Sequence, residues 1–291
     1  MRRTLMAAVA AVALTSSLSA CSGSDALVVG SANFVENQIL AEIYAQALEA
    51  KDVAVEKRLN IGNRETYFPA LQDGSLDLVP DYTGALLREI NKQSTERETE
   101  AVYAALKQQL PAGLIVLDKS AAEDKDAVVL TRETATRLNA KSLADLAPAC
   151  GQLVFGGASE FKIRPDGIPG IANTYNCTFQ QYRELDAGGP FTVGALQRGD
   201  IQAANIFTTD ASIPANDFVV LDDPEQLFGA QNVVPLINEM KASDTVKQVL
   251  NAVSAKLTTD GLAALNAEAA GDSKPSPQTV AKNWLMANGL L

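Results

Sequence analysis

The sequence predicts an α/β protein of two similar lobes, each built on a parallel-type sheet, with a cleft between the two sheets. Short apolar strands alternate with amphipathic helices in each half of the chain, which favours parallel sheets flanked by helices. A helix–turn–strand phrase occurs twice, as ALQDGSLDLVPDYTG at 70–84 and as ALQRGDIQAANIFTT at 195–209. A second pair occurs in the same order, GSANF at 30–34 and GASEF at 157–161, each after an apolar strand. Both are expected to be strand-to-helix turns whose free backbone N–H groups face the carboxyl edge of a sheet, where ligands of α/β folds bind. The two halves are therefore predicted to be equivalent, although a chance match of a common helix-ending phrase is the alternative.

The predicted elements of the first lobe follow from the spacing of apolar residues, which is helical after the first strand and alternating or continuous in the strands. In chain order they are the strand LVVG at 27–30, a helix from residue 31, the strand 53–62, a helix at 65–72, the strand 76–80 and a long helix at 96–109.

The pattern starts again with the strand AVVLT at 127–131. The elements that follow are a short helix at 142–148, a strand at 151–157, helices at 168–176 and 191–199, and a strand at 201–206. The last segments, 244–266 and 276–291, are amphipathic and are predicted to pack back on the first lobe. We therefore predict that residues 27–123 and 228–291 form lobe 1 and that residues 124–227 form lobe 2.

The first twenty residues have the pattern of a secretory signal peptide, outside the fold. Arg2 and Arg3 form a basic start, residues 5–14 are apolar, and LSAC at 18–21 is a small-residue cleavage site. LSAC resembles the lipobox of bacterial lipoproteins, which implies cleavage before Cys21 and a lipid on its sulfur. We therefore expect a signal peptide at 1–20 and a lipid-anchored linker at 21–26. An ordinary signal peptide, with Cys21 there by chance, is the alternative.

Composition disfavours several classes of function. Without Arg2 and Arg3 the chain has 22 basic and 35 acidic residues, a net charge of −13, which disfavours nucleic acid and anionic lipid as partners. The chain has no histidine, which removes the usual general base and the usual zinc ligand. The sequence also contains no GxSxG elbow and no P-loop. We expect no catalytic residues, no metal and no cofactor.

Carboxylate pairs keep a hydrolase open as an alternative, with Asp81 and Glu65, or Asp124 and Asp126, as the pair. Such carboxylates are also common at lobe junctions without any chemistry, so we expect the protein not to be an enzyme.

The two cysteines that remain after Cys21 is assigned to the lipid predict a disulfide. Cys150 and Cys177 are an even pair in an oxidising compartment. Closing that loop would stabilise the fold by roughly 3 kcal/mol. Two free thiols are the alternative.

Five phrases in one order identify a family resemblance: VVGSANFVENQILAEI, LDLVPDYTGALL, EFKIRPDGIPGI, IFTTDASI and LFGAQNVVPLI. Their order along the chain resembles the ProX-like family, the substrate-binding proteins of ABC importers for glycine betaine, choline and related quaternary amines. DYTG and RPDGIPG are the most specific parts. The resemblance implies a two-lobed periplasmic-binding-protein fold of type II, which closes on its ligand like a flytrap and then docks on a membrane permease.

The resemblance also implies a ligand site, because family members hold a trimethylammonium group in a box of tyrosines through cation–π attraction. Tyr82 matches the first ring of the box and Phe207 the third, at the ends of the two repeated phrases. Asp126 stands at the second position and Gln231 at the fourth, while Asp124 is kept.

For a ligand carboxylate, the resemblance implies Arg164 in RPDG, which matches the family arginine of the second lobe. Ala32 stands where the family commonly has lysine, and Arg64 is an additional cation on the first lobe. The predicted ligand-binding residues are Tyr82, Phe207, Asp126, Gln231, Arg164, Arg64, Asn33, Thr83, Asp124 and Thr208.

The sequence thus predicts a lipid-anchored monomer on the outer face of the membrane in the cell envelope, where it captures a small osmoprotectant-like solute. Its expected partner is an ABC permease with its ATPase, and the membrane is contacted only through the lipid on Cys21. A neutral polar or aromatic solute, held by Gln231, Asn33 and Arg64, is one alternative. A ligand-sensing lipoprotein is another.

Overall fold

The computed structural model of the chain describes residues 26–291, which form two α/β lobes with one five-stranded sheet each. The predictions for the signal peptide and for the lipid on Cys21 lie outside the described residues. The strands are β1 (Leu27–Ala32), β2 (Val55–Gly62), β3 (Leu78–Tyr82), β4 (Leu114–Val116), β5 (Asp126–Thr131), β6 (Val154–Gly157), β7 (Gln181–Glu184), β8 (Ala203–Phe207), β9 (Phe218–Val220) and β10 (Val233–Asn238).

Helices cover these sheets, and they are α1 (Val35–Glu49), α2 (Arg64–Gln72), α3 (Thr83–Ile90), α4 (Thr99–Gln109), α5 (Arg132–Leu138), α6 (Leu143–Leu146), α7 (Ile168–Tyr175), α8 (Pro190–Gln197), α9 (Ser212–Ala215), α10 (Asp244–Lys256), α11 (Thr259–Ala270) and α12 (Pro277–Asn288). Two short 3₁₀ helices lie at Ala147–Gln152 and Glu239–Lys241. None of the helices within residues 26–291 is both long enough and apolar enough to cross a membrane.

The two sheets have equivalent strand orders, β2-β1-β3-β10-β4 and β7-β6-β8-β5-β9. In each sheet the first three strands are parallel, and the fourth is antiparallel to both of its neighbours. The antiparallel strand is in each case the first one after the chain arrives from the other sheet. The predicted α/β class is confirmed, and both sheets are mixed rather than wholly parallel.

The repeated phrase forms the same structure in both lobes. In each copy a helix ends at glutamine, and a glycine turn leads into the central strand, β3 or β8. The turn glycines Gly74 and Gly199 have φ values of 78° and 74°, in the left-handed region that glycine adopts at little cost. The repeat therefore places Tyr82 and Phe207 at equivalent strand ends.

The second pair of phrases folds differently in the two lobes. After β1, helix α1 begins at Val35, and the backbone N–H of Ala32 donates to Asn37 Oδ1 at 2.7 Å instead of facing the cleft. After β6, ten residues of turns precede α7. A Cβ at Gly167 would collide with the carbonyl oxygen of Phe161, so this loop folds tightly back on itself. The expectation of two similar strand-to-helix turns with free N–H groups is wrong.

The C-terminal helices α10, α11 and α12 pack on α1, which is buried along most of its length as a result. The segment predicted as one helix at 244–266 is two helices, because the chain leaves α10 after Lys256 and Thr258 caps the start of α11. In the other lobe, the predicted disulfide between Cys150 and Cys177 is confirmed, with Cα atoms 5.4 Å apart and both residues buried.

Candidate ligand-binding site

A small cavity lies between the two lobes, where strand ends from both sheets meet. Strands β3 and β8 end there, at Tyr82 and Phe207. The antiparallel strands begin at the same edges, so that Asp126 pairs with Phe207, and Gln231 lies just before β10. The cavity has a volume of about 50 Å³, room for a few water molecules, and continues into a groove of about 840 Å³.

Eight of the ten predicted ligand-binding residues line this cavity, and their role as ligand contacts remains a prediction. They are Tyr82, Phe207, Asp126, Gln231, Arg164, Arg64, Asn33 and Asp124.

Thr83 and Thr208 do not line the cavity and instead fix the backbone beside it. The hydroxyl of Thr83, which is fully buried, accepts a hydrogen bond from the N–H of Asn232 at 3.1 Å. The hydroxyl of Thr208 accepts from the N–H of Lys125 at 2.9 Å and donates to Asp124 at 3.2 Å.

Phe34 is a third aromatic ring of the site. It lies 5.2 Å from Phe207 and 6.2 Å from Tyr82, measured between ring centroids, and is stacked at 29° to both. Tyr67 also lines the cavity. The only signal for Phe34 in the sequence is the phrase GSANF, and its counterpart Phe161 is buried in the core of the second lobe against Phe155.

Glu36, in the first turn of α1, joins the two lobes through buried hydrogen bonds. Its carboxylate accepts from the hydroxyl of Tyr82 at 2.6 Å and from the hydroxyl of Thr209, in the other lobe, at 2.5 Å. The side-chain amide of Asn266 donates to it as well, at 2.5 Å. Sequence reasoning missed Glu36, because a glutamate near the start of an amphipathic helix gives no sign of burial.

Glu36 and Asp124 form a buried carboxyl pair. Burial raises the pKa of Glu36 above its ordinary value. Burial, and after it the charge of Glu36, raises the pKa of Asp124 well above its ordinary value. Asp124 accepts hydrogen bonds from the hydroxyl of Thr208 and, at 3.1 Å, from the N–H of Thr209. The pair therefore tends to retain a proton where exposed carboxyls have lost theirs.

Arg64 is paired within the first lobe. Its guanidinium donates to Asp81 from Nη2 at 2.7 Å and from Nε at 3.2 Å, and both side chains are buried. The hydroxyl of Tyr67 donates to the same carboxylate at 2.9 Å. The charge of Arg64, the additional cation predicted for the first lobe, is therefore neutralised by Asp81, the aspartate of DYTG. Asp81 and Glu65, considered as a hydrolase pair, instead bind different arginines.

The RPDG loop of the second lobe makes two ion pairs with the first lobe. Arg164 donates from Nε and Nη2 to the two oxygens of Glu65, both at 3.0 Å. Asp166 accepts from Nη1 of Arg88 at 3.2 Å. The two opposite charges of the loop, two positions apart in the chain, thus bind separate partners in the first lobe rather than each other. In this structure the lobes therefore touch across the cleft.

Three polar residues of the cavity differ in how many of their hydrogen-bonding groups already have partners in the protein. The side-chain carbonyl of Gln231 accepts from the N–H of Ala85 at 2.9 Å, and its amide donates to the carbonyl of Phe228 at 3.2 Å. Asp126 accepts from the amide of Asn205 at 2.8 Å. Asn33 is exposed at the mouth of the cavity.

The pKa of Asp126 is raised by burial and then by the negative charge of Asp166, against smaller opposing effects of Asn205, Arg164 and Arg64. A positive charge in the cavity would therefore stabilise the ionised form of Asp126. Metal-binding side chains do not cluster in groups of three or more anywhere in the described part of the chain.

Two lobes that close over an aromatic and acidic cavity define a two-lobed solute-binding protein, with the fold of the type II periplasmic binding proteins. Residues 25–287 match the family model of the substrate binding domain of ABC-type glycine betaine transport systems. The chain belongs to this family and is the substrate-binding component of an ABC transport system.

Similar proteins align with nearly the whole chain. A glycine-betaine-binding protein of Pseudomonas aeruginosa is 28% identical over 282 residues, covering 92% of this chain and 89% of that protein. An ergothioneine transport permease/ergothioneine binding protein of Helicobacter pylori is 25% identical over 267 residues, covering 91% of this chain and 48% of that protein. The crystal structure of a glycine betaine/carnitine/choline ABC transporter shares the fold, with a TM-score of 0.70, 22% identity, and coverage of 91% of this chain and 99% of that chain.

Proposed function

We propose that this protein captures a small quaternary amine of the osmoprotectant type between its lobes and delivers it to a membrane permease with its ATPase. One observation carries the proposal. Aromatic rings from both lobes, Phe34, Tyr82 and Phe207, meet at a cavity that is also lined by carboxylates. Aromatic faces and carboxylates attract a cation, and a trimethylammonium group needs no hydrogen-bond acceptor.

The names of the relatives support this class of ligand, since glycine betaine is a quaternary amine. The neutral-solute alternative relies on hydrogen bonds from Gln231, Asn33 and Arg64, and it is less well supported because only Asn33 of the three is exposed at the mouth of the cavity, while Gln231 and Arg64 are engaged. Both side chains already have protein partners, the first with backbone groups and the second with Asp81.

Closure of the lobes is the step that we propose to be coupled to capture. Ligand contacts the first lobe through Tyr82 and Phe34, and the second lobe then brings Phe207, Asp126 and Arg164. Only contacts that are specific to the closed state favour closure. The ion pairs of the RPDG loop and the Glu36–Thr209 hydrogen bond are contacts of this kind.

The finer predictions from the sequence belong to the same proposal. We propose residues 27–123 with 228–291 as lobe 1 and residues 124–227 as lobe 2. We also propose a lipid anchor on Cys21 at the outer face of the membrane, a monomeric state and the absence of enzymatic activity. The extracytoplasmic role of the family supports the location, and its transport role favours delivery over sensing.

A thermal-shift panel tests the ligand class. Choline, glycine betaine and carnitine are compared at millimolar concentration with an uncharged polyol and a neutral aromatic compound. We expect a rise in melting temperature with at least one quaternary amine and none with the neutral compounds, since binding to the folded state alone stabilises it. A rise with the neutral compounds alone would overturn the proposal in favour of the alternative.

A further inference from the structure

Both guanidinium groups at the cavity already hold carboxylates of the protein. Among the described residues that line the cavity, Arg64 and Arg164 are the cations. Arg64 is bound to Asp81, and Arg164 binds both oxygens of Glu65 at 3.0 Å. A planar guanidinium fits a carboxylate through two parallel hydrogen bonds, so the best position on Arg164 for a ligand carboxylate is occupied.

The carboxylates that line the cavity, in contrast to the two arginines, have no partner of opposite charge in the described part of the chain. Asp124, Asp126 and Glu160 line it, and none of them is in a salt bridge within residues 26–291. The cavity is therefore lined by carboxyl groups that lack a cationic partner among the described residues, and Asp126 and Glu160 lie outside the proton-retaining Glu36–Asp124 pair. Such a lining attracts a cation and repels a second carboxylate. Ala32, at the position where the resemblance implies a lysine, adds no positive charge.

We propose that Glu65 is a built-in carboxylate for Arg164, so that the cavity selects quaternary ammonium cations without a carboxylate, of the choline class, over zwitterionic betaines. This inference rests on the proposed function, because it concerns which quaternary amines the same cavity takes. The hydroxyl end of a choline-class cation needs no cationic partner. The carboxylate of a betaine must either displace Glu65 or lie unpaired beside the acidic groups.

The position of the pair sets the size of the expected preference. The side chains of Arg164 and Glu65 are 24% and 38% exposed, at the rim of the cavity. A displaced Glu65 would be hydrated, so the penalty for a betaine is moderate. We expect choline to bind about fivefold more tightly than glycine betaine, which is the upper end of what one broken ion pair at an exposed rim produces.

The test is a titration of the protein with choline and with glycine betaine by calorimetry, in the unsubstituted form and as Glu65→Gln. The amide keeps the size of the side chain and removes its charge, which leaves Arg164 free for the carboxylate of glycine betaine. We expect the dissociation constant of choline divided by that of glycine betaine to be about fivefold higher in Glu65→Gln than in the unsubstituted protein, because glycine betaine gains Arg164 as a partner. Any general loss of closure affects both ligands alike and cancels in the ratio.

A matched control is Asp217→Asn, which removes the carboxylate of another two-bond ion pair, to Arg132, at an exposed site outside the cavity. We expect this variant to leave the ratio unchanged. The inference is overturned if the unsubstituted protein binds glycine betaine as tightly as choline, or if Glu65→Gln leaves the ratio where it was. It fails together with the proposed function only if neither ligand binds, so the two failures are distinguishable.

Discussion

Phe34 stacks on Phe207 across the cleft, with ring centroids 5.2 Å apart and ring planes at 29°. Phe34 precedes α1 in the first lobe, and Phe207 ends β8 in the second. The same face of the site holds Tyr82, 6.2 Å from Phe34. Tyr82 and Phe207, which the repeat places at equivalent strand ends, are therefore joined by a third ring, and ligand binding has to use or move Phe34.

Substitution of Phe34 tests that role. We expect Phe34→Ala to weaken the binding of choline about tenfold, because one aromatic face is lost from a partly dry cation site. The ring is only partly buried, although it packs against both core clusters of the first lobe, so its removal should lower the melting temperature of the ligand-free protein less than removal of a fully buried phenylalanine. Calorimetry and thermal unfolding measure the two quantities.

Phe161→Ala is the control at the equivalent phrase of the other lobe. Phe161 is buried against Phe155 and does not line the cavity, so its loss should cost about 3–5 kcal/mol of stability with little change in affinity for protein that remains folded. The assignment of Phe34 to the site would be refuted by the reverse pattern, in which Phe34→Ala destabilises the fold and leaves the dissociation constant unchanged.

Two substitutions of Tyr82 separate the ring from the hydroxyl. We expect Tyr82→Ala to weaken choline binding about 100-fold, through the loss of the ring. Tyr82→Phe keeps the ring and removes a donor to the buried Glu36, so it should cost about 1–3 kcal/mol of stability with a smaller effect on affinity. Unchanged affinity in Tyr82→Ala, measured by calorimetry, would contradict the site assignment.

Much of this site could be predicted because the sequence shows where the central strands end. The repeat places Tyr82 and Phe207 at equivalent corners, and the resemblance adds Asp124, Asp126 and Gln231, which all line the cavity. The antiparallel direction of β5 and β10 is not readable, since apolar periodicity is the same for either direction of a strand.

The pairings of charged side chains could not be predicted either. Glu65 and Arg164 are 99 positions apart in the chain, and their contact depends on how the lobes close. Arg64 and Arg164 looked equally available for a ligand carboxylate, and only the structure shows that both are engaged. Glu36 gave no signal at all, because its burial results from packing of the second lobe and α11 on the start of α1.

Cation binding should strengthen as the pH rises. The pKa of Asp126 is raised by burial and by the charge of Asp166, and a bound cation lowers it again. Below the raised pKa, binding must therefore release a proton, and affinity for choline should increase with pH above the ordinary value of 3.8 until the free carboxyl is ionised. Calorimetry in buffers of different ionisation enthalpy measures the released protons.

Asp126→Asn is the matching variant for that experiment. The amide has the size of the carboxyl group and cannot titrate, so we expect weaker binding at neutral pH and a flatter pH profile. A profile as steep as that of the unsubstituted protein would assign the pH dependence to the Glu36–Asp124 pair instead.

The ligand-free protein should show the opposite trend in stability. The pKa of Glu36 is raised by burial, so the folded state favours the protonated form, and this contribution is present in acid and is lost as the pH rises through the raised pKa. Glu36→Gln mimics the protonated group beside Asp124. We expect this variant to make the free energy of unfolding less dependent on pH, by up to about 1.4 kcal/mol per pH unit. Denaturant unfolding at several pH values measures it.

Glu184→Gln is the control, because Glu184 forms an exposed ion pair with Lys162. The variant should follow the unsubstituted protein at each pH. Parallel slopes for Glu36→Gln and the unsubstituted protein would contradict a proton-holding role for Glu36.

Calorimetric titration with choline and with its neutral isostere 3,3-dimethyl-1-butanol shows whether the cavity recognises the quaternary ammonium charge or only the shape of the ligand. The two compounds share shape and hydroxyl group, and they differ in the charge that the rings and carboxylates attract. We expect saturable heat with choline and at least about 100-fold weaker binding of the isostere. Equal affinities, or binding of the isostere alone, would contradict it.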